Sequence, residues 1–382
     1  MIERPMKLAG DELIFGQDSL SYLENIKAKK IVIVLGDDVV YKNGVMRIVE
    51  NHLTNADIPY SVFIGVESDP GLDTVERGAK FMEEEKPDFI LAIGGGSVMD
   101  AAKAMWIFYE HPETKGLEEL MDKSKFPKLR LKAHLGCIPT TAGTASEVSR
   151  SIVITDSMTG YKCGIGNMEM MPDVAILDPI TTISLPKHLT AQTGFDALTH
   201  AIEAYTSNRA NYLTDILAKA AIIDIFDTLP KVYVNLNDID LREKMLNASM
   251  VAGLSFTNAS LGIVHSISHS LGSIFHVPHG ILNAILLPYV IEFNRNNPIT
   301  LRRYSDIAKW IGEKNLTLGI KRLVKDLEIK DDLSLYISQD DLMNKLDEVI
   351  SLALEDGCTK TNPVAPKPSD IRKIILRAYR GD

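Results

Sequence analysis

Between residues 29 and 110 the chain switches three times from a short β-rich run to a helix-like stretch. "KKIVIVLGD" (29–37) leads into a helical segment around "VMRIVENHLTNAD". "YSVFIGV" (60–66) leads into the amphipathic "GLDTVERGAKFMEEEKP", and "DFILAIGGGS" (88–97) runs into "SVMDAAKAMWIFYE", with Ser97 placed to cap that helix. The β-α-β-α-β-α order predicts a parallel sheet with helices on both faces, a Rossmann-like α/β layer. "KAHLGCIP", "SIVITD" and "VAILDP" are read as further strands, the first followed by the polar loop "TTAGTASE" (140–147).

After about residue 185 the texture changes. "LTAQTGFDALTHAIEAYTS", "YLTDILAKAAIIDIFDTLPKVYV", "LREKMLNASMVAGLSFTNAS" and "LRRYSDIAKWIG" all read as helices, and β-rich runs become scarce. Pro186, in "ISLPKHL" (183–189), sits between the two textures. The chain of 382 residues is too long for one ordinary core, so two domains are expected: an α/β domain over 1–184 and an all-α domain over 185–382. A net charge of −10 with scattered acids argues against a nucleic-acid partner. No run of about 18 apolar residues is present, so no membrane span is expected. Cys137, Cys163 and Cys358 are widely spaced and form no CxxC pair, which reads as a reducing, cytoplasmic compartment. "MIERPMKLAG" lacks the apolar stretch of a secretory signal.

"AIGGGSVMD" (92–100) ends a strand and opens a helix. Glycines let a backbone approach a ligand closely, and the free N–H groups at a helix start suit a phosphate. The spacing is not GxGxxG, and a plain tight turn accounts for three glycines equally well. "LGDD" (35–38) ends the first strand. A carboxylate there, Asp37, would accept hydrogen bonds from ribose hydroxyls and repel a 2′-phosphate, which favours NAD over NADP. As a turn or N-cap aspartate it needs no ligand. The hydroxyls of "TTAGTASE" would suit the phosphate or nicotinamide end of such a cofactor.

Four of the nine histidines, His265, His269, His276 and His279, fall in "GIVHSISHSLGSIFHVPHG" (262–280). His265 and His269 are spaced i,i+4 and share a helix face, as do Asp196 and His200 in "GFDALTHAIEAY". That spacing is how one helix offers two donors to one ion. A carboxylate with three imidazoles and no thiolate suits Fe²⁺, Zn²⁺, Mn²⁺, Co²⁺ or Ni²⁺, whereas calcium and magnesium want more oxygens. Taken singly, each of these histidines is equally an ordinary packed residue.

Together with "TTAGTASEVSRSIVITD", "MPDVAILDP", "PHGILNAILLP" and "DGCTKTNP", these segments resemble the iron-containing, metal-dependent alcohol dehydrogenase family, in order and over nearly the whole chain. The resemblance implies a dehydroquinate synthase-like fold with a dinucleotide-binding N-terminal domain and a metal-binding C-terminal one. It implies a metal held by Asp196, His200, His265 and His279. It places NAD(H) on Asp37, Gly95, Gly96, Ser97, Asp100, Thr140, Thr141, Thr144 and Lys162. His269 falls beside the nicotinamide, and Phe256 and Cys358 line the substrate pocket; His269 is the candidate for relaying the proton, with support of the metal ligands or simple packing as the alternative. Asp69, Ser273 and "NPV" (362–364) depart from the family's usual residues. The implied reaction interconverts a small primary alcohol or diol with its aldehyde, with Fe²⁺ as Lewis acid, in a cytoplasmic homo-oligomer. A glycerol dehydrogenase-like enzyme, a reductase of anionic aldehydes such as sulfoacetaldehyde, and a non-catalytic metal- or nucleotide-binding protein are the alternatives.

Overall fold

Runs of Val, Ile and Leu are buried from end to end in the first half of the chain, and this is what builds its sheet. The computed structural model describes residues 5–122, 125–155 and 162–381, with the side chains of 162 and 163 outside that set. The chain divides into two compact units, Met1–Leu185 and Pro186–Asp382.

The first unit holds β1 (Glu12–Phe15), β2 (Ile31–Leu35), β3 (Tyr60–Ile64), β4 (Phe89–Gly94), β5 (His134–Pro139), β6 (Ser151–Thr155), β7 (Lys162–Gly166) and β8 (Val174–Leu177). Its helices are α1 (Val39–Lys42), α2 (Val45–Asn55), α3 (Leu72–Glu85), α4 (Gly96–Glu110) and α5 (Leu117–Met121). Among the described residues six strands form a parallel sheet in the order β1-β8-β5-β4-β2-β3. Alternate residues of β2 and β4 serve opposite faces. Val32, Val34, Ile90 and Ala92 pack with α3 and α4 residues such as Met82, Met105 and Trp106. Ile31, Ile33, Leu91 and Ile93 pack with Val45, Met46, Val49 and Leu53 of α2. A strand covered on both faces must be apolar throughout, which is why these runs do not alternate.

Three details differ from the sequence reading. "SIVIT" is a strand, β6, but it leaves the sheet and pairs antiparallel with β7 in a separate ribbon. Its burial alternates, with only Ile152 and Ile154 buried, as suits a strand with one wet face. β1 was not foreseen, because a four-residue edge strand with exposed ends carries little pattern. Ser97 does not cap α4. The helix begins at Gly96 with Gly95 as N-cap, and the Ser97 hydroxyl instead donates to the Ser68 carbonyl.

The second unit is helical: α6 (Lys187–Thr206), α7 (Tyr212–Val234), α8 (Ile239–Ala259), α9 (Ile263–Phe275), α10 (His279–Asn294), α11 (Pro298–Trp310), α12 (Leu316–Asp326), α13 (Gln339–Glu355) and α14 (Pro368–Arg380). α6 is buried from Gly194 to Thr206, the mark of a helix surrounded by others. Between α8 and α9 the chain bends by 101°. Ser260 takes the bend at φ 65°, strained for a residue with a Cβ, and the Thr361 hydroxyl bonds the Ser260 hydroxyl and the Leu261 carbonyl. His276 ends α9 in the left-handed conformation, a C-cap position that explains it without any ligand. Among the described residues no single helix is long and apolar enough to cross a membrane.

The start of α10 lies directly on the α6 backbone. A Cβ at Gly280 would come 2.2 Å from the Gln192 carbonyl oxygen and 2.7 Å from its carbon. Because the obstacle is backbone, Gly280→Ala is expected to lower stability by about 1–3 kcal/mol. It should also shift the neighbouring His279. Gly116→Ala, where a Cβ meets nothing within 4 Å, should stay within about 0.5 kcal/mol of the parent. Chemical denaturation of the two variants checks both values.

Candidate functional site

α6 carries Asp196 and His200 one turn apart, α9 carries His265, and α10 opens with His279. Their donor atoms converge. Asp196 Oδ1 lies 3.7 Å from His200 Nε2, 3.5 Å from His265 Nε2 and 3.5 Å from His279 Nε2. These separations are too long for good hydrogen bonds. They match the spacing of ligands on a shared ion, since donors about 2.1 Å from a tetrahedral metal stand about 3.4 Å from one another. His265 Nε2 is buried and has no hydrogen-bond partner, a costly state that a metal ion would relieve. Asp196, His265 and His279 offer donors all within 4.8 Å of one another. His200 adjoins this trio through Asp196 and through its ring, stacked on His265 at 4.6 Å. The residues present therefore fit a divalent ion. His279 is 36% exposed against 1% for His265, so the group opens to solvent on the His279 side.

Sequence reasoning missed the residues that hold these donors. Glu203, on α6 three positions after His200, receives His265 Nδ1 at 2.6 Å. Its carboxylate also accepts from the backbone N–H groups of Gly262 (3.0 Å) and Val264 (2.8 Å) at the start of α9. Asn362 takes the N–H between them, from Ile263. Gly262 must lack a Cβ here, because one would sit 2.8 Å from both Glu203 Oε1 and Asn362 Oδ1. With Nδ1 committed to Glu203, His265 aims Nε2 at Asp196. Asn283, one turn after His279, donates to Asp196 Oδ1 at 2.8 Å and is itself oriented by the Ser268 hydroxyl at 2.6 Å.

The charges follow from this packing. Burial opposes the Asp196 carboxylate, but the imidazoles of His200, His265 and His279 outweigh it and hold its pKa well below the usual range. Burial likewise opposes the His265 imidazolium, yet Glu203 and Asp196 raise its pKa to about 9.

His269 stands apart from the donor set. Its Nδ1 pairs with Asp356 Oδ2 at 2.8 Å, and its ring stacks on His279 at 5.2 Å. Cys358 lies with this pair, its backbone N–H donating to Asp356 Oδ1 at 2.7 Å. Phe256 is buried and stacks on His200 at 4.4 Å, so it fixes that ring.

The cofactor candidates lie in the first unit. The path from β2 to β3 and back to β4 reverses across β2, so a switch point lies between β2 and β4, at whose carboxyl ends open sheets bind ligands. Asp37 follows β2 and Gly95 follows β4. Gly95 and Gly96 face the threonine loop: a Cβ on Gly95 would meet Thr141 at 3.4 Å, and one on Gly96 would meet Thr144 at 2.7 Å. Thr140 N–H bonds the Gly94 carbonyl at 2.9 Å. Thr141 Oγ1 is buried with no hydrogen-bond partner, and Gly95 caps α4 without any side-chain bond to the helix N–H groups. A hydroxyl left over beside an open helix start fits a phosphate-bearing cofactor. Asp37 is exposed, and its Oδ1 accepts from Val39 N–H at 2.9 Å.

Asp100, for which the resemblance implies a cofactor contact, also has a task within the fold. Its oxygens accept from the Ser146 hydroxyl (2.6 Å) and the Val153 N–H (2.9 Å), so it fastens the threonine loop and β6 to α4. Lys103, one turn on and fully buried, donates to the carbonyls of Ser146 and Ser149. Lys162 begins β7, where its backbone pairs with Thr155, and its side chain lies outside the described residues.

Two predictions follow for the metal group. Glu203→Gln leaves buried N–H groups and His265 Nδ1 poorly matched, so metal affinity is expected to fall about 10–100-fold. Metal content after dialysis against a graded chelator series measures it, and an unchanged content would refute the assignment. The second concerns pH in the metal-free protein. His265 has its pKa raised from 6.5 to about 9, so its imidazolium adds stability in full below 6.5. That stability is lost as pH rises through about 9. An ion binds only the neutral ring, so apparent metal affinity should rise over the same interval. Thermal melts of chelator-treated protein and metal titrations from pH 6.5 to 9 test both directions.

Comparison with known proteins agrees with this geometry. A family described as "Iron-containing alcohol dehydrogenase" matches residues 11–179, and "Fe-containing alcohol dehydrogenase family, C-terminal" matches residues 190–379. The chain is 43% identical to an NADPH-dependent butanol dehydrogenase of Clostridium saccharobutylicum, over 97% of each chain. It is 39% identical to aldehyde-alcohol dehydrogenase 2 of Entamoeba histolytica over 96% of this chain, and spans 46% of that longer protein. The structure of an iron-containing alcohol dehydrogenase from Thermococcus thioreducens superposes with a TM-score of 0.92 at 34% identity, covering 99% of this chain and all of that one. The chain belongs to the iron-containing alcohol dehydrogenase family and is an alcohol dehydrogenase.

Proposed function

We propose that the protein interconverts a small primary alcohol or diol with its aldehyde, using NAD(H) and a divalent ion held by Asp196, His200, His265 and His279. The observation that carries the reading is the convergence of three imidazole nitrogens on one carboxylate oxygen, with His265 Nε2 buried and lacking a partner. When bound, an ion such as Fe²⁺, for which Zn²⁺, Mn²⁺, Co²⁺ and Ni²⁺ compete, polarises the substrate oxygen while the nicotinamide exchanges hydride with the substrate carbon. The chain's own groups do the rest. Asp196 supplies the negative charge of the donor set, and Glu203 and Asn283 hold the donors in place. Phe256 keeps the His200 ring fixed. His269, beside His279, takes the substrate's hydroxyl proton in oxidation and returns it in reduction. In the first unit, Gly95, Gly96 and Ser97 bring the start of α4 against the cofactor phosphates, with Thr140, Thr141 and Thr144 around them and Lys162 at the nicotinamide ribose.

Asp37 supports NAD(H): a carboxylate beyond β2 would repel a 2′-phosphate and accept from ribose hydroxyls. A second reading, NADP(H), has the name of the 43% identical butanol dehydrogenase in its favour. Initial rates with a panel of small aldehydes, starting with propionaldehyde, test the reading with either reduced cofactor, before and after chelation. Turnover should vanish with chelator and return with Fe²⁺. NADH should be preferred over NADPH by kcat/KM, and Asp37→Gly should narrow or invert that ratio by about tenfold or more, since one charge contact is worth about 1.4 kcal/mol or more. Absence of metal-dependent turnover across the panel would sink the reaction, and an NADPH preference in the parent would sink the cofactor choice.

A further inference from the structure

His265 and His269 sit one turn apart on α9, yet their Nδ1 atoms find different carboxylates. The partner of His269 is Asp356, 87 residues away in sequence, at 2.8 Å. Asp356 is the C-cap of α13 and follows Glu355. A carboxylate at the negative end of a helix is unfavourable, and the last turn of α13 contains no basic residue to offset it. Helix stability therefore does not account for this residue. A local turn accounts for only half of its bonding: Oδ1 accepts from Cys358 N–H at 2.7 Å, a bond that an asparagine would make equally well. The Ser266 hydroxyl on α9 adds a longer contact at 3.4 Å, and the Thr359 hydroxyl holds Ser266 at 2.7 Å. An asparagine amide has one oxygen, so it cannot accept at both positions. Only the carboxylate can close the turn with Oδ1 and still receive a ring N–H at Oδ2.

We propose that Asp356 is a positioning residue that holds His269 as the Nδ1–H tautomer and fixes its ring against His279, so that Nε2 is the atom that exchanges the proton. In alcohol oxidation the substrate hydroxyl proton would pass to Nε2 while the hydride goes from the carbon to the oxidised nicotinamide. In reduction Nε2 gives the proton back. The role rests on the reading of His269 as proton carrier given above, but the tautomer can be tested separately. Asp356→Asn keeps the turn with its carbonyl oxygen and presents an N–H to His269 Nδ1, which must then accept, so the ring proton moves to Nε2.

The experiment uses the full chain loaded with zinc and labelled with ¹⁵N-histidine, with His269 assigned through His269→Gln. The parent should show His269 protonated at Nδ1, and Asp356→Asn should show it protonated at Nε2. Melting temperature and zinc content should match the parent. In turnover, kcat of Asp356→Asn should fall at least about tenfold with KM little changed. The double variant should be no slower than His269→Gln alone, because both changes remove one function. A parent His269 protonated at Nε2 overturns the proposal without any variant. So does an unchanged tautomer in Asp356→Asn, or a kcat loss that adds in full to that of His269→Gln. If His269→Gln leaves kcat intact, the proton-carrier reading falls, while the tautomer measurement still decides whether Asp356 sets the ring.

Discussion

The Glu203 carboxylate is the point on which the metal-binding unit turns. A helix start buried in protein leaves N–H groups that must find acceptors, and each one left unpaired costs about 1–3 kcal/mol. At α9 two of these groups are taken by Glu203 and a third by Asn362. The same carboxylate sits where the helix dipole favours negative charge. It then has capacity left for His265 Nδ1, so the bond that caps the helix also aims the ligand. Gly262 makes this possible, because any side chain there would displace both acceptors. The strained Ser260 corner delivers the chain to that position. Fold stability and donor geometry are in this place one set of bonds.

The first unit solves a similar problem with a buried lysine. Its threonine loop has no regular structure of its own between β5 and β6 apart from one short 3₁₀ turn, Ser146–Val148. Lys103 gathers the carbonyls of Ser146 and Ser149 around its buried Nζ, and Asp100 adds a hydroxyl and an N–H. Both residues belong to α4, whose first turn is the glycine loop. The helix that would receive phosphate at its start is thus also the post to which the threonines are tied. Thr141 keeps a buried hydroxyl unspent, while the residues that hold the loop in place are fully engaged.

Much of this was legible in the sequence where the signal was local. Fully buried parallel strands read as unbroken apolar runs, so β2, β4 and β8 could be seen directly, and the i,i+4 pairs Asp196–His200 and His265–His269 marked helix faces that carry donors. Where pairing depends on distant residues, the pattern was silent. β6 has the composition of a sheet strand, and only its alternating burial tells that one face is wet. Glu203 stood in view, a second acid on the helix that carries Asp196, but its partner lies 62 residues on. Asn283 looked like one more polar residue in α10, yet it donates across 87 positions to Asp196. Motif resemblance located Asp100 in the cofactor loop, and only the hydrogen bonds revealed that it also holds Ser146 and Val153.

The two histidines of α9 show why periodicity alone stops short of function. Helical spacing puts His265 and His269 on one face and makes them equivalent as potential ligands. Their environments separate them. His265 is sealed in, 1% exposed, with two carboxylates on its two nitrogens' sides, a setting in which a bare proton or a metal ion must be held. His269 is 32% exposed and has one carboxylate at Nδ1. These surroundings support the proposed split, in which His265 holds the ion and His269 passes the proton. The difference comes from Glu203 on α6 and Asp356 after α13, so the contrast between the two histidines' surroundings is written in helices that α9 meets only after folding.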